Sequence, residues 1–215
     1  MNDLAKLLLD SAREVGVSVT NRNVSELLIY LRELISWNKK TNLTAIRQDR
    51  EIVVKHFIDS IACSKALGQS KSSSLLDVGA GAGFPGLPLK IIHPELNLTL
   101  LEPNNKKTAF LRHVIGTLNL SHAVVVPKRI EDCSRELQYQ GRFTDIITRA
   151  LDVDQVIPFV RPLLAHSGRL ILCRAKPLDS GLNLFGLQIK NEIAYELPYG
   201  YGKRVLLILE PAHPT

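Results

Sequence analysis

Leu75-Leu76-Asp77-Val78-Gly79-Ala80-Gly81-Ala82-Gly83-Phe84-Pro85-Gly86-Leu87-Pro88 runs a short apolar strand into a glycine-rich turn and then a helix. Glycine adopts conformations closed to other residues and exposes backbone N–H groups to a ligand in the crevice beyond the strand ends. Asp77, penultimate in the strand, can accept hydrogen bonds from the turn or from a ligand ammonium group. Downstream, short apolar runs alternate with longer helical segments, the pattern of a parallel sheet wound with crossover helices. Strands are predicted over 75–78, 98–101, 123–126, 145–148 and 169–173. Two further runs, 188–196 and 203–209, are joined by a loop too short for a crossover helix, so they must pair antiparallel. The expected fold is α/β, a mostly parallel sheet of about seven strands closed by a C-terminal hairpin.

Upstream, from residue 4 to about residue 66, apolar residues recur at helical spacing. Leu4, Leu8, Ala12 and Val15 make one stripe; Leu27, Leu28, Leu31, Leu34 and Ile35 make a broader one. Asn23 followed by Glu26 reads as an N-cap with its reciprocal acceptor, and Asp49 as another helix start. The polar stretch 69–74 then divides a helical cap, 1–74, from a core, 75–215. His56, Asp59 and Ser60 fall on one helical face. A hydrolytic triad needs nucleophile and base in direct contact at a strained site, which one helix turn rarely provides. The set reads instead as a hydrogen-bonded wall against the ligand site or as a structural cluster.

The 215 residues, 45% hydrophobic and 22% charged, exclude a repeat array, a disordered chain and a multi-domain machine. Twenty-seven Lys and Arg against 21 Asp and Glu give a net charge of +6, which favours a polyanionic partner. Cys63, Cys133 and Cys173 form no C-x-x-C pair and have no suitably spaced His, so neither a disulfide framework nor a metal site is expected. The N-terminus lacks signal-peptide character, and no apolar run approaches the roughly 20 residues that span a bilayer. The expectation is a cytoplasmic monomer without membrane contact.

Glu102 follows the second strand, where a carboxylate can take both hydroxyls of a ribose. Two cofactors compete for such a site. Residues 81–86 satisfy G-x-G-x-x-G, the dinucleotide fingerprint, but the match begins two residues after the strand ends, and Pro85 and Pro88 offer no N–H to a pyrophosphate. The form Asp-x-Gly-x-Gly-x-Gly, with an acidic residue ending strand two, instead resembles the Rossmann-like class I S-adenosylmethionine-dependent methyltransferases.

Further motifs narrow the resemblance. Trp37-Asn38, Asn42-Leu43-Thr44-Ala45-Ile46 and Lys55-His56-Phe57-Ile58-Asp59-Ser60 stand ahead of the turn; Lys107, Phe110-Leu111, Arg129-Ile130-Glu131-Asp132 and Thr148-Arg149-Ala150 follow it. Over nearly its whole length the chain resembles the RsmG (GidB) family, bacterial methyltransferases acting on guanine N7 in the 530 loop of 16S rRNA. The resemblance implies S-adenosyl-L-methionine as cofactor and 16S rRNA or the 30S subunit as partner. It implies Gly79, Gly81 and Gly83 around the methionine part with Asp77 beside it, Glu102 on the ribose, and Ile130 and Glu131 at the adenine. Phe84 and Pro85 would shape the rim of the turn, and Arg149 would sit near the methyl donor and the incoming base. Arg204 also agrees with the family pattern. Where the family carries Lys-Gly after strand five, this chain has Cys173-Arg174-Ala175-Lys176-Pro177, which leaves Lys176 as a displaced basic residue.

Guanine N7 has an in-plane lone pair and no proton to lose, so transfer requires alignment and no general base. Arg149 is the candidate for contacting guanine O6 or a phosphate, because a guanidinium presents parallel donors. Trp37 reads as core, whereas Tyr199 and Tyr201 lie in a loop where they could stack on bases. Three alternatives remain: the same chemistry on another RNA or a small molecule, an NAD-dependent oxidoreductase, and a non-catalytic ribosome-assembly factor.

Overall fold

A computed structural model describes residues 3–68, 73–149, 151–176, 178 and 181–212. Of the polar divider 69–74, residues 69–72 lie outside the described residues. Helix α1, Asp3–Glu14, buries Leu7, Leu8 and Ala12. Helix α2, Asn21–Thr41, buries Leu27, Tyr30, Leu31 and Leu34. Its N-cap is Thr20 and not Asn23, which corrects the sequence reading. The Thr20 hydroxyl accepts from the Asn23 N–H, and the Asn23 side chain accepts from the Thr20 N–H. Asn23 is therefore the reciprocal partner, while Glu26 pairs with Arg22 at 2.9 Å.

Helix α3, Asp49–Ile52, starts where expected and continues through a π-helical stretch, Val53–Ile58, into α4, Asp59–Ala62. Such wide turns are rare and frequent at functional sites. This one carries His56 and delivers Asp59.

The seven-stranded sheet comprises β1 (Ser74–Val78), β2 (Asn97–Leu101), β3 (Ala123–Val126), β4 (Phe143–Arg149), β5 (Leu164–Arg174), β6 (Leu187–Leu197) and β7 (Gly202–Pro211). The order is β3-β2-β1-β4-β5-β7-β6. Neighbours among β1 to β5 run parallel, and β7 pairs antiparallel with both β5 and β6, the expected hairpin. Strand β5 starts earlier than predicted: Phe143 pairs with Leu164 but Asp145 with Arg169, so 165–168 bulge out of the ladder. Helices α5 (Gly86–Ile92), α6 (Asn105–Thr117), α7 (Ile130–Arg135) and α8 (Ile157–Val160) make the crossovers.

One apolar cluster joins α1, α2, α5 and α6 to one face of the sheet, and a second packs α7 and α8 on the other. The order reverses at β1, whose neighbours are β2 and β4. Val78 lies level with Leu101 on one side and Thr148 on the other. A crevice beyond the carboxyl ends of β1 and β4 follows from that topology. Among the described residues no helix is long and apolar enough to cross a membrane.

Candidate active site

The turn after β1 is fixed mostly by its own backbone. Gly79 and Gly81 take φ of 70° and 59°, the left-handed region that glycine enters without strain. The N–H groups of Gly79 and Ala80 donate to Leu101 O, those of Gly83 and Phe84 to Ala80 O, and that of Leu87 to Gly83 O. Gly81 N donates to Glu102 Oε2 at 2.9 Å, and Gly86 N to Asp77 Oδ2 at 2.8 Å. The sequence reading had these amides free for a ligand; the structure directs them inward. A pyrophosphate would find few donors here, which argues independently against a dinucleotide.

The glycines also differ in what they face. A Cβ on Gly81 would meet only Gly79 O, at 3.8 Å, so the space above it is open. On Gly79 it would strike Leu151 Cδ1 at 2.5 Å. On Gly83 it would strike Leu87 Cδ1 and the Tyr30 hydroxyl, so Gly83 serves packing behind the turn. Phe84 is buried and not at the rim. It stacks between Tyr30 and His56, with centroids 5.4 and 4.7 Å away.

Glu102 is buried, and its Oε1 accepts from Asn104 N–H at 2.9 Å. Both carboxylate oxygens, assigned from sequence to a ribose, therefore already hold the backbone, and each keeps a further lone pair for a ligand hydroxyl. Glu102 lines a cavity of about 240 Å³ with Gly79, Leu101, Lys107, Ile130 and Glu131. Asp77 Oδ1 is buried and has no hydrogen-bond partner among the described residues. Burial pushes the Asp77 carboxyl up to about 7; the Gly86 N–H and Arg149 oppose this, and Glu102 adds to it. An orphaned buried acceptor, open space over Gly81 and an acidic residue beside an apolar cleft fit a nucleoside with hydroxyls and an ammonium group.

Arg149, at the end of β4, binds the helical segment. Nη1 donates to Asp59 Oδ2 at 3.2 Å and Lys55 O at 3.3 Å, and Nη2 contacts His56 Nδ1 at 3.2 Å. Its guanidinium also lies over Phe84, 5.4 Å from the ring centroid. Asp59 Oδ1 accepts from the Tyr195 hydroxyl at 2.8 Å and lies 3.4 Å from Arg204 Nε. His56 Nε2 is 2.8 Å from Thr44 Oγ1, and Asn38 exchanges two hydrogen bonds with the Thr44 backbone. Four of the quoted motifs, three ahead of the glycine turn and one well after it, thus meet in one network. Burial holds His56 down at about 3, helped by the Arg149 charge. Ser60 donates to the His56 carbonyl, so no hydrolytic triad forms.

Asp59, Arg149, Arg174, Lys176 and Arg204 line a second cavity of about 390 Å³, together with Thr148, Leu172 and Cys173. Leu151 lines both cavities. Trp37 packs on Phe110 and His113, as core; Tyr199 is exposed, and Lys55 lies over the Tyr201 ring at 4.7 Å. Sequence reasoning missed Tyr30, Thr44 and Tyr195 as individual participants, and Leu151. Only Thr44 stood in a motif that could have flagged it.

The sequence model described as rRNA small subunit methyltransferase G, GidB, matches residues 23–191. The chain belongs to this family. The ribosomal RNA small subunit methyltransferase G of Roseiflexus castenholzii is 35% identical, covering 97% of this chain and 92% of its own length. That of Lactococcus lactis subsp. lactis is also 35% identical, over 93% of this chain and 88% of the relative. Among solved structures, a SAM-dependent methyltransferase from Aquifex aeolicus has a TM-score of 0.55 at 12% identity, covering 75% of this chain and 93% of that one. MtNAS in complex with MTA and tNA reaches 0.61 at 11% identity, covering 98% and 86%. At these identities the likeness is one of fold. Family and fold together make the chain an S-adenosylmethionine-dependent rRNA methyltransferase of the RsmG family.

Proposed function

We propose that this chain methylates N7 of a guanine in the 530 loop of 16S rRNA. The observation that carries this reading is the pair of cavities meeting at Leu151: one bears Glu102, and the other bears four cationic side chains, Arg149, Arg174, Lys176 and Arg204, against Asp59 alone. S-adenosylmethionine supplies a methyl group activated on a sulfonium. Gly79 and Gly81 would border its methionine part, Asp77 Oδ1 would accept from its ammonium, Glu102 would hold the ribose, and Ile130 and Glu131 would flank the adenine. Gly83 and Phe84 support the turn from behind.

The target guanine enters the cationic cavity, where Arg149 donates to O6 and leaves the N7 lone pair free. Arg174 and Lys176 take neighbouring phosphates, giving affinity that falls with salt. No side chain is asked to move a proton. The protein contributes alignment of N7 on the methyl carbon and carboxylates that suit a cationic product. Residues 1–74 act as a cap and 75–215 as the catalytic core, working as a monomer on 16S rRNA or the 30S particle. The test is mass mapping of 16S rRNA from a strain lacking the protein. Loss of 7-methylguanosine from the 530 loop, restored by the wild-type gene, is expected; persistence of the modification refutes the assignment.

A further inference from the structure

The hydrogen-bond roles around His56 admit one tautomer. Arg149 Nη2 is a donor only, so the Nδ1 it contacts at 3.2 Å must accept and carry no proton. The ring proton is then on Nε2, which donates to Thr44 Oγ1 at 2.8 Å. That oxygen accepts a second bond, from Ile46 N–H at 3.2 Å. The opposite tautomer would set Nδ1–H against a guanidinium N–H.

The consequence falls on Arg149. Both Nη1 hydrogens are used, on Lys55 O and Asp59 Oδ2, and one Nη2 hydrogen is used on His56. Among the described residues the Nε–H and the second Nη2–H have no partner. One Nη2–H lies beside the Nε–H on a single edge of the planar group, and Arg149 lines the cationic cavity. Phe84 lies under the guanidinium plane and stacks on the His56 ring, which limits tilting of both groups.

We infer that His56 is a positioning residue for methyl transfer: its Nδ1, kept as an acceptor by Thr44, sets the roll of the Arg149 guanidinium so that the Nε–H and Nη2–H edge meets guanine O6. A purine with an exocyclic amino group at that position would present donors to donors, so the same pair selects guanine over adenine. The inference rests on the proposed reaction but adds a residue that does not itself touch substrate.

Asparagine and glutamine substitutions separate the two ring nitrogens. In His56→Asn the side-chain carbonyl can occupy the Nδ1 position and accept from Arg149; in His56→Gln the amide reaches toward Nε2 and Thr44 instead. With 30S subunits as substrate, His56→Asn is expected to keep kcat within about threefold of wild type, and His56→Gln to lose about tenfold or more. KM for 30S should change less than about twofold in both, because phosphate contacts carry that affinity. Equal kcat for the two variants, or a loss confined to KM, overturns the inference.

Should either variant fail to fold, Thr44 gives the same test from outside the ring. Thr44→Ser should retain kcat, and Thr44→Val should lose several-fold without a change in KM; equal behaviour of that pair overturns the inference as well. If wild-type protein itself leaves the 530 loop unmodified, the reaction assignment fails and takes this role with it, whereas equal variants beside an active wild type overturn the role of His56 alone.

Discussion

Asp77 and His56 are buried ionisable groups whose titrations oppose each other. The His56 pKa lies at about 3, below its ordinary 6.5. The unfolded chain therefore binds the proton first, and this contribution to stability is lost as pH falls from about 6.5 toward 3. The Asp77 pKa stands at about 7, above its ordinary 3.8. Its folded form holds the proton longer, so its contribution is lost as pH rises from about 4 through 7. Binding an ammonium group beside Oδ1 would favour ionised Asp77. Affinity for S-adenosylhomocysteine, followed by calorimetry, should accordingly drop as pH falls below about 7, and Asp77→Asn should flatten that dependence. The same variant should raise the melting temperature of the ligand-free protein at pH 8; an unchanged pH profile would place the ammonium elsewhere. Glu102→Ala should weaken S-adenosylhomocysteine binding by about 1.5 to 3 kcal/mol and also release the Gly81 amide. Both carboxylates were legible from the chain because Asp77 is penultimate in the first strand and Glu102 directly follows the second. Their inward hydrogen bonds were not, since these depend on the path of the turn in space.

At the level of elements, the glycine turn separates into a position open to space, Gly81, and positions closed in by side chains, Gly79 and Gly83. Gly83→Ala places a methyl group against Leu87 and Tyr30 at φ 98°, and is expected to cost about 2 to 4 kcal/mol in denaturant unfolding. Gly81→Ala opens onto free space at φ 59° and should cost about 1 to 2 kcal/mol of backbone strain. The G-x-G spacing marks both residues alike; only the three-dimensional surroundings tell them apart. The alternation of short apolar runs and helices made five strands readable, and the short loop between the last two runs gave the hairpin. The early start of β5 was hidden because Ala165, His166, Ser167 and Gly168 form a bulge that reads as a turn. The cap of α2 slipped by three residues because Thr20 and Asn23 can each fill either half of a reciprocal pair.

For the whole molecule, four cationic side chains gather at one cavity, the one that the proposed function gives to the RNA. Replacing Arg174 and Lys176 together by Ala should reduce the slope of log affinity against log salt for 16S rRNA by about 1 to 2, with cofactor affinity unchanged. S-adenosylhomocysteine, and not NAD, should raise the melting temperature of the intact protein; the reverse would restore the oxidoreductase reading. Composition announced the positive excess but not its location, because Arg149 and Arg204 reach one cavity from strands more than fifty residues apart in sequence.

Leu151 lines both cavities, so with the proposed ligands in place each would touch the same side chain. Donor and acceptor affinities are then thermodynamically linked, and linkage is reciprocal: whatever factor the nucleoside adds to RNA binding, the RNA must add to nucleoside binding. Trimming that side chain to alanine should pull this shared factor toward unity, leaving an enzyme that binds both molecules but no longer registers whether the other is present.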